Sequence, residues 1–257
     1  MDIIRNRPLS LGEKSRRLIF FLREYFFPSG CALCDTALIT VQEAWYGLCE
    51  NCRTTIEKQW AEDHLSAGGF CALCGRPLIS EHERCLPCRC SNAKAFEQVT
   101  VLFPYTGKYR RLLKAYKFGK NLALGNFFAE KIRNALGEVE RHSPDAVIVP
   151  VPPRSGKIRK TGWDQVEYLV TLLEKGPGTV KKVSRCLRRL PSKVQKELNR
   201  AERKTNLQGR IMLKGTAPKT AILVDDVITT GSTLDVCTAV LKEGGAEKVY
   251  GLCLFYN

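Results

Sequence analysis

Residues 221–233 read Ala-Ile-Leu-Val-Asp-Asp-Val-Ile-Thr-Thr-Gly-Ser-Thr. The apolar run predicts a strand that delivers two adjacent carboxylates, Asp225 and Asp226, to its C-terminal end. Val227 then leads into a hydroxyl-rich turn, Thr229, Thr230, Gly231, Ser232 and Thr233, that opens a helix. Amides at a helix N-terminus, assisted by Thr and Ser hydroxyls, bind a monoester phosphate, and Gly231 lets the backbone approach it closely. Two carboxylates ahead of that cradle suit the 2- and 3-hydroxyls of a ribose whose 5-phosphate sits in the turn. Either half alone would read as a strand end or a helix cap. Together, in this order, they read as a sugar-phosphate site.

A second chemistry lies in four Cys-x-x-Cys pairs: Cys31/Cys34, Cys49/Cys52, Cys71/Cys74 and Cys85/Cys88. A tight turn at this spacing points both sulfurs at one ion, which suits tetrahedral zinc, two ions for eight thiolates. An iron–sulfur cluster or a redox dithiol are the alternatives. The pairs group either in sequence or crossed, and Cys90 is a possible substitute for Cys88. Cys186, Cys237 and Cys253 stand singly and read as buried thiols. The apolar stretch from Leu18 to Leu22 runs into Arg23 and Glu24, far short of a membrane span and without a secretory cleavage site. The expected location is therefore the cytoplasm, where a disulfide framework is disfavoured.

The formal charge of +15 is uneven. Residues 1–95 hold 12 Lys+Arg against 11 Asp+Glu, whereas residues 96–257 hold 29 against 15. Residues 175–219 alone carry 14 cations and two acids, Glu197 and Glu202. Such a balance suits phosphates or nucleic acid, with a solvated basic surface as the plain alternative.

The elements that must position these groups follow from periodicity. Ser10 and Glu13 have capping-box spacing before an amphipathic helix that ends at Pro28, and the cysteine module occupies about 31–90. Beyond it the pattern alternates: strand 97–105, helices 108–118 and 122–141, strand 146–151, helix 163–175, a polar helix 194–206, strand 220–224, helix 232–242 and strand 248–255. This predicts an α/β fold, an open and mostly parallel sheet covered by helices, with ligands at the C-terminal strand ends. Residues 1–94 are expected to form the N-terminal helix and double zinc module, and 95–257 the second domain.

The 221–233 run resembles the signature by which type I phosphoribosyltransferases bind 5-phosphoribosyl-1-pyrophosphate (PRPP). The whole chain resembles the ComF family, competence-associated proteins that join cysteine-rich zinc modules to a phosphoribosyltransferase-like domain. The residues that carry this are the cysteine pairs, Tyr105-Thr106-Gly107 leading to 112–119, the Val149–Pro153 strand end, and Gln195, Arg203 and Asn206. Where the family reads Arg-Gly-Phe-Asn-Gln, this chain has Thr161-Gly162-Trp163-Asp164-Gln165, with Arg159 and Lys160 adjacent. The resemblance implies that the loop with Pro153 and Arg154 receives pyrophosphate, that Lys117 is a further phosphate contact, and that 175–219 contains a hood over the ligand. Arg188, Arg189, Lys193, Gln195 and Arg203 would then face pyrophosphate, a second ligand or a nucleic-acid backbone.

Two functions are implied. One is a PRPP-binding protein serving DNA uptake in natural transformation through single-stranded DNA or another competence protein. The other is an active, magnesium-dependent phosphoribosyltransferase acting on an unknown acceptor, with Asp225 and Asp226 orienting the ribose. Thr229 stands where purine-salvage enzymes often carry an acid, which argues against purine salvage.

Overall fold

Alternating apolar runs in the C-terminal two thirds become strands whose helices pack back on the sheet. The structure, a computed structural model, describes residues 29–65, 69–78, 80–90, 94–176, 182–191 and 209–257. The expected helices before Pro28 and at 194–206 lie outside the described residues, as do Lys193, Gln195 and Arg203.

The helices are α1 (Val41–Tyr46), α2 (Glu50–Leu65), α3 (Leu86–Cys90), α4 (Gly107–Lys117), α5 (Ala123–His142), α6 (Lys157–Thr161), α7 (Gln165–Lys175) and α8 (Ser232–Glu243). The strands are β1 (Gln98–Pro104), β2 (Val147–Pro150), β3 (Leu187–Arg189), β4 (Ile211–Leu213), β5 (Thr220–Ile228) and β6 (Lys248–Tyr256). Four of them form a parallel sheet in the order β1-β6-β5-β2, while β3 and β4 pair as a separate antiparallel ribbon. Val183 adds a parallel bridge outside β2, beside Ile148.

Each sheet face has its own core. Ile222, Val224, Leu252 and Leu254 bury against α4, α5 and α7, where Tyr116, Phe127, Phe128 and Leu169 are fully enclosed. Ala221, Leu223 and Val249 bury on the opposite face against Leu234, Cys237 and Leu241 of α8 and Leu187 and Ile211 of the ribbon. Both faces being covered explains why these strands read as continuous apolar runs.

Strand β5 is longer than its sequence suggests. It continues past the acid pair to Ile228, with Asp225, Val227 and Ile228 registered against Cys253, Phe255 and Tyr256 of β6. Carboxylates read as the end of the strand are therefore inside it, because β6 supplies a continuous ladder. The alternation of faces also breaks there: Leu102-Phe103 and Leu254-Phe255 each turn two successive residues to the α4/α5 side.

The cysteine-rich segment closes the free edge of β1. Leu73 O accepts from Val99 N at 2.9 Å, and the Trp60 indole donates to Leu102 O at 2.8 Å. Edge strands left open invite pairing with other chains, so these two contacts protect the sheet. The approach is close at Gly75, which has φ +69° and where a Cβ would lie 2.4 Å from Val101 Cγ2 and 2.9 Å from Val99 O. Gly75→Ala should therefore lose at least about 2 kcal/mol through left-handed strain and the backbone clash. Urea unfolding checks this, and an unshifted midpoint would contradict the packing.

Candidate functional site

The eight paired cysteines form two sequential quartets. In each, one sulfur from every cysteine lies within 4.8 Å of the others: Cys31, Cys34, Cys49 and Cys52 in the first, Cys71, Cys74, Cys85 and Cys88 in the second. Sulfurs at the corners of a tetrahedron about zinc stand about 3.8 Å apart. Cys34 and Cys49 are at 3.7 Å, and Cys74 and Cys85 at 3.6 Å, so the donor set fits a four-thiolate zinc. The crossed grouping is excluded, and Cys90 is exposed and outside both groups.

Both quartets start with the same knuckle. Cys31 N donates to Thr36 O and Asp35 N to Cys31 O, while Cys71 N donates to Arg76 O and Gly75 N to Cys71 O. The third ligand then immediately precedes a helix and the fourth lies in its first turn, Cys49 before Cys52 in α2 and Cys85 before Cys88 in α3. Cys31 and Cys49 belong to the core under α4 and α5, whereas the second quartet forms its own cluster joined through Leu73 to the other face.

The second site lies at the C-terminal strand ends. Val151 N donates to Val224 O at 2.9 Å, the last bond between β2's chain and β5, after which 152–156 turn away. Asp225 and Asp226 come immediately next. As neighbours on a strand they face opposite sides, with Asp226 toward α4 and α7 and Asp225 toward α8 and the ribbon.

Asp226 is buried within a chain of polar groups. Lys117 Nζ at the end of α4 pairs with its Oδ2 at 2.6 Å, and the Gln165 amide donates to the same oxygen. Gln165 Oε1 accepts from Lys157, whose ammonium also meets Asp164 Oδ2 at 2.6 Å. Asp164 in turn caps α7, accepting from Val166 N and Glu167 N at 3.0 and 3.1 Å. Burial opposes ionisation of Asp226, but the Lys117 charge and the Gln165 amide hold its carboxyl below the ordinary range. Asp225 goes the other way: burial, then the Asp226 charge, pushes its carboxyl well above the usual range. Its Oδ1 accepts from Asp226 N at 2.8 Å.

Arg189 faces this region. Burial, then the neighbouring Arg154 charge, lowers its basicity, while Asp225 favours its cation. Arg189 of β3 is thus within electrostatic reach of both Arg154, in the 152–156 loop, and Asp225. Arg188, the adjacent strand residue, is exposed.

The turn after β5 matches its sequence reading. Gly231 has φ +76° and precedes α8, whose first internal bond is Asp235 N to Gly231 O at 2.8 Å. The amides of 232–234 therefore precede the helix's own ladder. Thr230 Oγ1 and Ser232 Oγ lie 2.7 Å apart, Thr229 is exposed, and Thr233 is half-buried. Gly231 meets only Ile228 and Phe96, at 3.7 and 3.8 Å from an added Cβ. Its constraint is the left-handed backbone, with no crowding by side chains. The helix after β2 lies on one sheet face and α8 after β5 on the other, so the crevice between these strand ends is a topological switch point.

Sequence reasoning missed the roles of Gln165, Lys157 and Asp164. Gln165 closes the five-residue run that departs from the family pattern, and that position was the available signal.

The Phosphoribosyl transferase domain family matches residues 155–257, which include the acid pair and the turn. Competence protein F of Haemophilus influenzae is 25% identical over 233 residues, covering 87% of this chain and 95% of that protein. The chain is ComF-like. Competence protein ComFC of Streptococcus pneumoniae is 26% identical over 205 residues, covering 79% and 84% of the two chains. DNA utilization protein YhgH of Salmonella typhimurium is 26% identical over 226 residues, covering 81% and 96%. The ComF-like assignment rests on this coverage together with the two cysteine groups and the parallel sheet. Among the described residues no helix is long and apolar enough to cross a membrane.

Two outcomes follow for this ComF-like site. Metal analysis of anaerobically prepared protein should find close to two zinc ions, falling to one in Cys88→Ser and unchanged in Cys90→Ser; iron, or no metal, would contradict the fit. Asp225, with its raised folded-state value, favours folding only while protonated, and that contribution is lost as pH rises through the folded value. Asp226, with its lowered value, contributes above the unfolded carboxylate range and loses that as pH falls. Asp225→Asn should therefore raise the melting temperature of ligand-free protein at neutral pH, with the gain vanishing below the unfolded carboxylate range. Asp226→Asn should lower it at neutral pH.

Proposed function

We propose that this ComF-like chain binds PRPP at the β5 strand end and serves DNA uptake or utilisation through single-stranded DNA or a protein partner in the cytoplasm. The observation that carries the reading is the acid pair set between a hydroxyl-rich helix start and the Arg154 loop at the switch point. In this reading the amides and hydroxyls of 230–233 hold the 5-phosphate, Asp225 and Asp226 meet the ribose hydroxyls, and Arg154 and Arg189 face the pyrophosphate. Val227 and Thr229 shape the strand end and turn, and Pro153 fixes the loop's exit from the sheet. Magnesium, when bound with PRPP, would offset pyrophosphate charge. Zinc in the two quartets is structural. The names of the relatives and the basic 175–219 segment support the DNA part, with exposed Arg188 as a backbone contact and Lys193, Gln195 and Arg203 in the same segment.

Lys117 acts first through Asp226. Entry of a ribose onto that carboxylate would compete with the Lys117 ammonium, freeing it toward the ligand.

A second reading, transfer of the phosphoribosyl group, is favoured by Arg189, whose guanidinium feels both Asp225 and the Arg154 charge. An acceptor would form a bond to the anomeric carbon as the bond to pyrophosphate breaks, and Arg154 and Arg189 would neutralise the leaving group. A PRPP hydrolysis and transfer assay with and without single-stranded DNA separates the two readings.

Calorimetry with magnesium tests binding directly. Asp225→Ala with Asp226→Ala should lower PRPP affinity at least about 100-fold with the fold retained, since both acids and their hydrogen bonds are lost together. Arg154→Ala should weaken PRPP about tenfold and ribose 5-phosphate little, because only PRPP carries the pyrophosphate. Wild-type affinity in the double variant would overturn the site.

A further inference from the structure

Lys94 and Asp235 are 141 residues apart in sequence and meet beside the turn that opens α8. Lys94 Nζ lies 3.0 Å from Asp235 Oδ2 and 3.5 Å from Thr230 O, with side chains only 20% and 13% exposed. Asp235 sits in the first turn of α8, and its Oδ1 is buried without a hydrogen-bond partner among the described residues. The segment that delivers Lys94 also packs under the turn. Phe96 is buried, its ring is the neighbour an added Cβ at Gly231 would meet at 3.8 Å, and Lys94 Nζ stands 5.9 Å from that ring's centre. Lys94 follows α3, the helix that carries Cys88 of the second quartet.

An acid in the first turn stabilises a helix whose N-terminus is empty. It works against a phosphate that must occupy the same end, because the two like charges share one partly desolvated neighbourhood. We infer that Lys94 is a positioning residue of the phosphate turn: it offsets the Asp235 charge and holds the Thr230 carbonyl, so that the start of α8 accepts an anion. Its ammonium is committed to Asp235 and Thr230, and it acts on the ligand through them. The inference rests on the proposal that a 5-phosphate occupies this turn.

Lys94→Gln removes the charge while keeping a hydrogen-bond donor and most of the stem that packs on Phe96. Titration calorimetry with ribose 5-phosphate and with PRPP plus magnesium should show both weakened by the same factor, about tenfold for one unscreened charge at this range. Asp235→Asn added to Lys94→Gln should restore affinity to within about threefold of wild type, and Lys94→Arg should retain it. A merely structural role would not be rescued by removing the opposing charge. Wild-type affinity in Lys94→Gln overturns the inference and leaves the phosphate site standing. Weakening that Asp235→Asn does not rescue also overturns it. Failure of wild-type protein to bind either ligand overturns the phosphate site and this inference together.

Discussion

Among the described residues, strand β5 beyond Val224 has a ladder partner on one side only. Strand β2 ends at Pro150 and its chain makes one more bond, Val151 N to Val224 O, before leaving the sheet. Strand β6 continues beside β5 to Tyr256. This unequal length creates the site: residues 225–228 are held by one neighbouring strand, and on the other side the ladder stops where the 152–156 loop leaves the sheet. Helices leave β2 and β5 toward opposite faces, so nothing in the sheet's own connectivity fills the gap.

The charges around that gap are arranged unequally. Asp226 is held ionised by Lys117 and Gln165, while Asp225 is pushed toward its protonated form by burial and by Asp226. The cysteine-rich segment contributes to the same geometry from outside. It seals the edge of β1 through Leu73 and Trp60, and through Lys94 and Phe96 it reaches the turn at the start of α8. The two cysteine quartets, one packed toward each face of the sheet, therefore bear on the sheet as well as on their own loops.

The parts legible in the sequence were those whose chemistry is local. Cys-x-x-Cys spacing fixes a knuckle within a few residues, and an apolar run followed by Asp-Asp and Thr-Thr-Gly-Ser-Thr fixes strand, acids and turn in one stretch. Lys117, Gln165 and Lys94 were harder to read because each meets its partner across 61 to 141 residues. Lys117 was singled out from the sequence as a phosphate contact, but its pairing with Asp226 was not, since no spacing rule joins the end of α4 to β5. The strand's continuation past Asp226 escaped local reading because two adjacent aspartates weaken strand propensity, and the pairing with β6 overrides that. Arg188 and Arg189 look alike in sequence, yet a strand sends neighbours to opposite sides, so one is at the surface and the other is half-buried.

The central claim is that the open flank of β5 receives PRPP, and a crystal structure of the protein with PRPP and magnesium tests it most directly. The 5-phosphate should lie on the amides of 230–233, with the ribose hydroxyls on Asp225 and Asp226, the pyrophosphate toward Arg154 and Arg189, and the Lys117–Asp226 contact lengthened. Ligand density elsewhere, with Lys117 still closed on Asp226, would contradict the account.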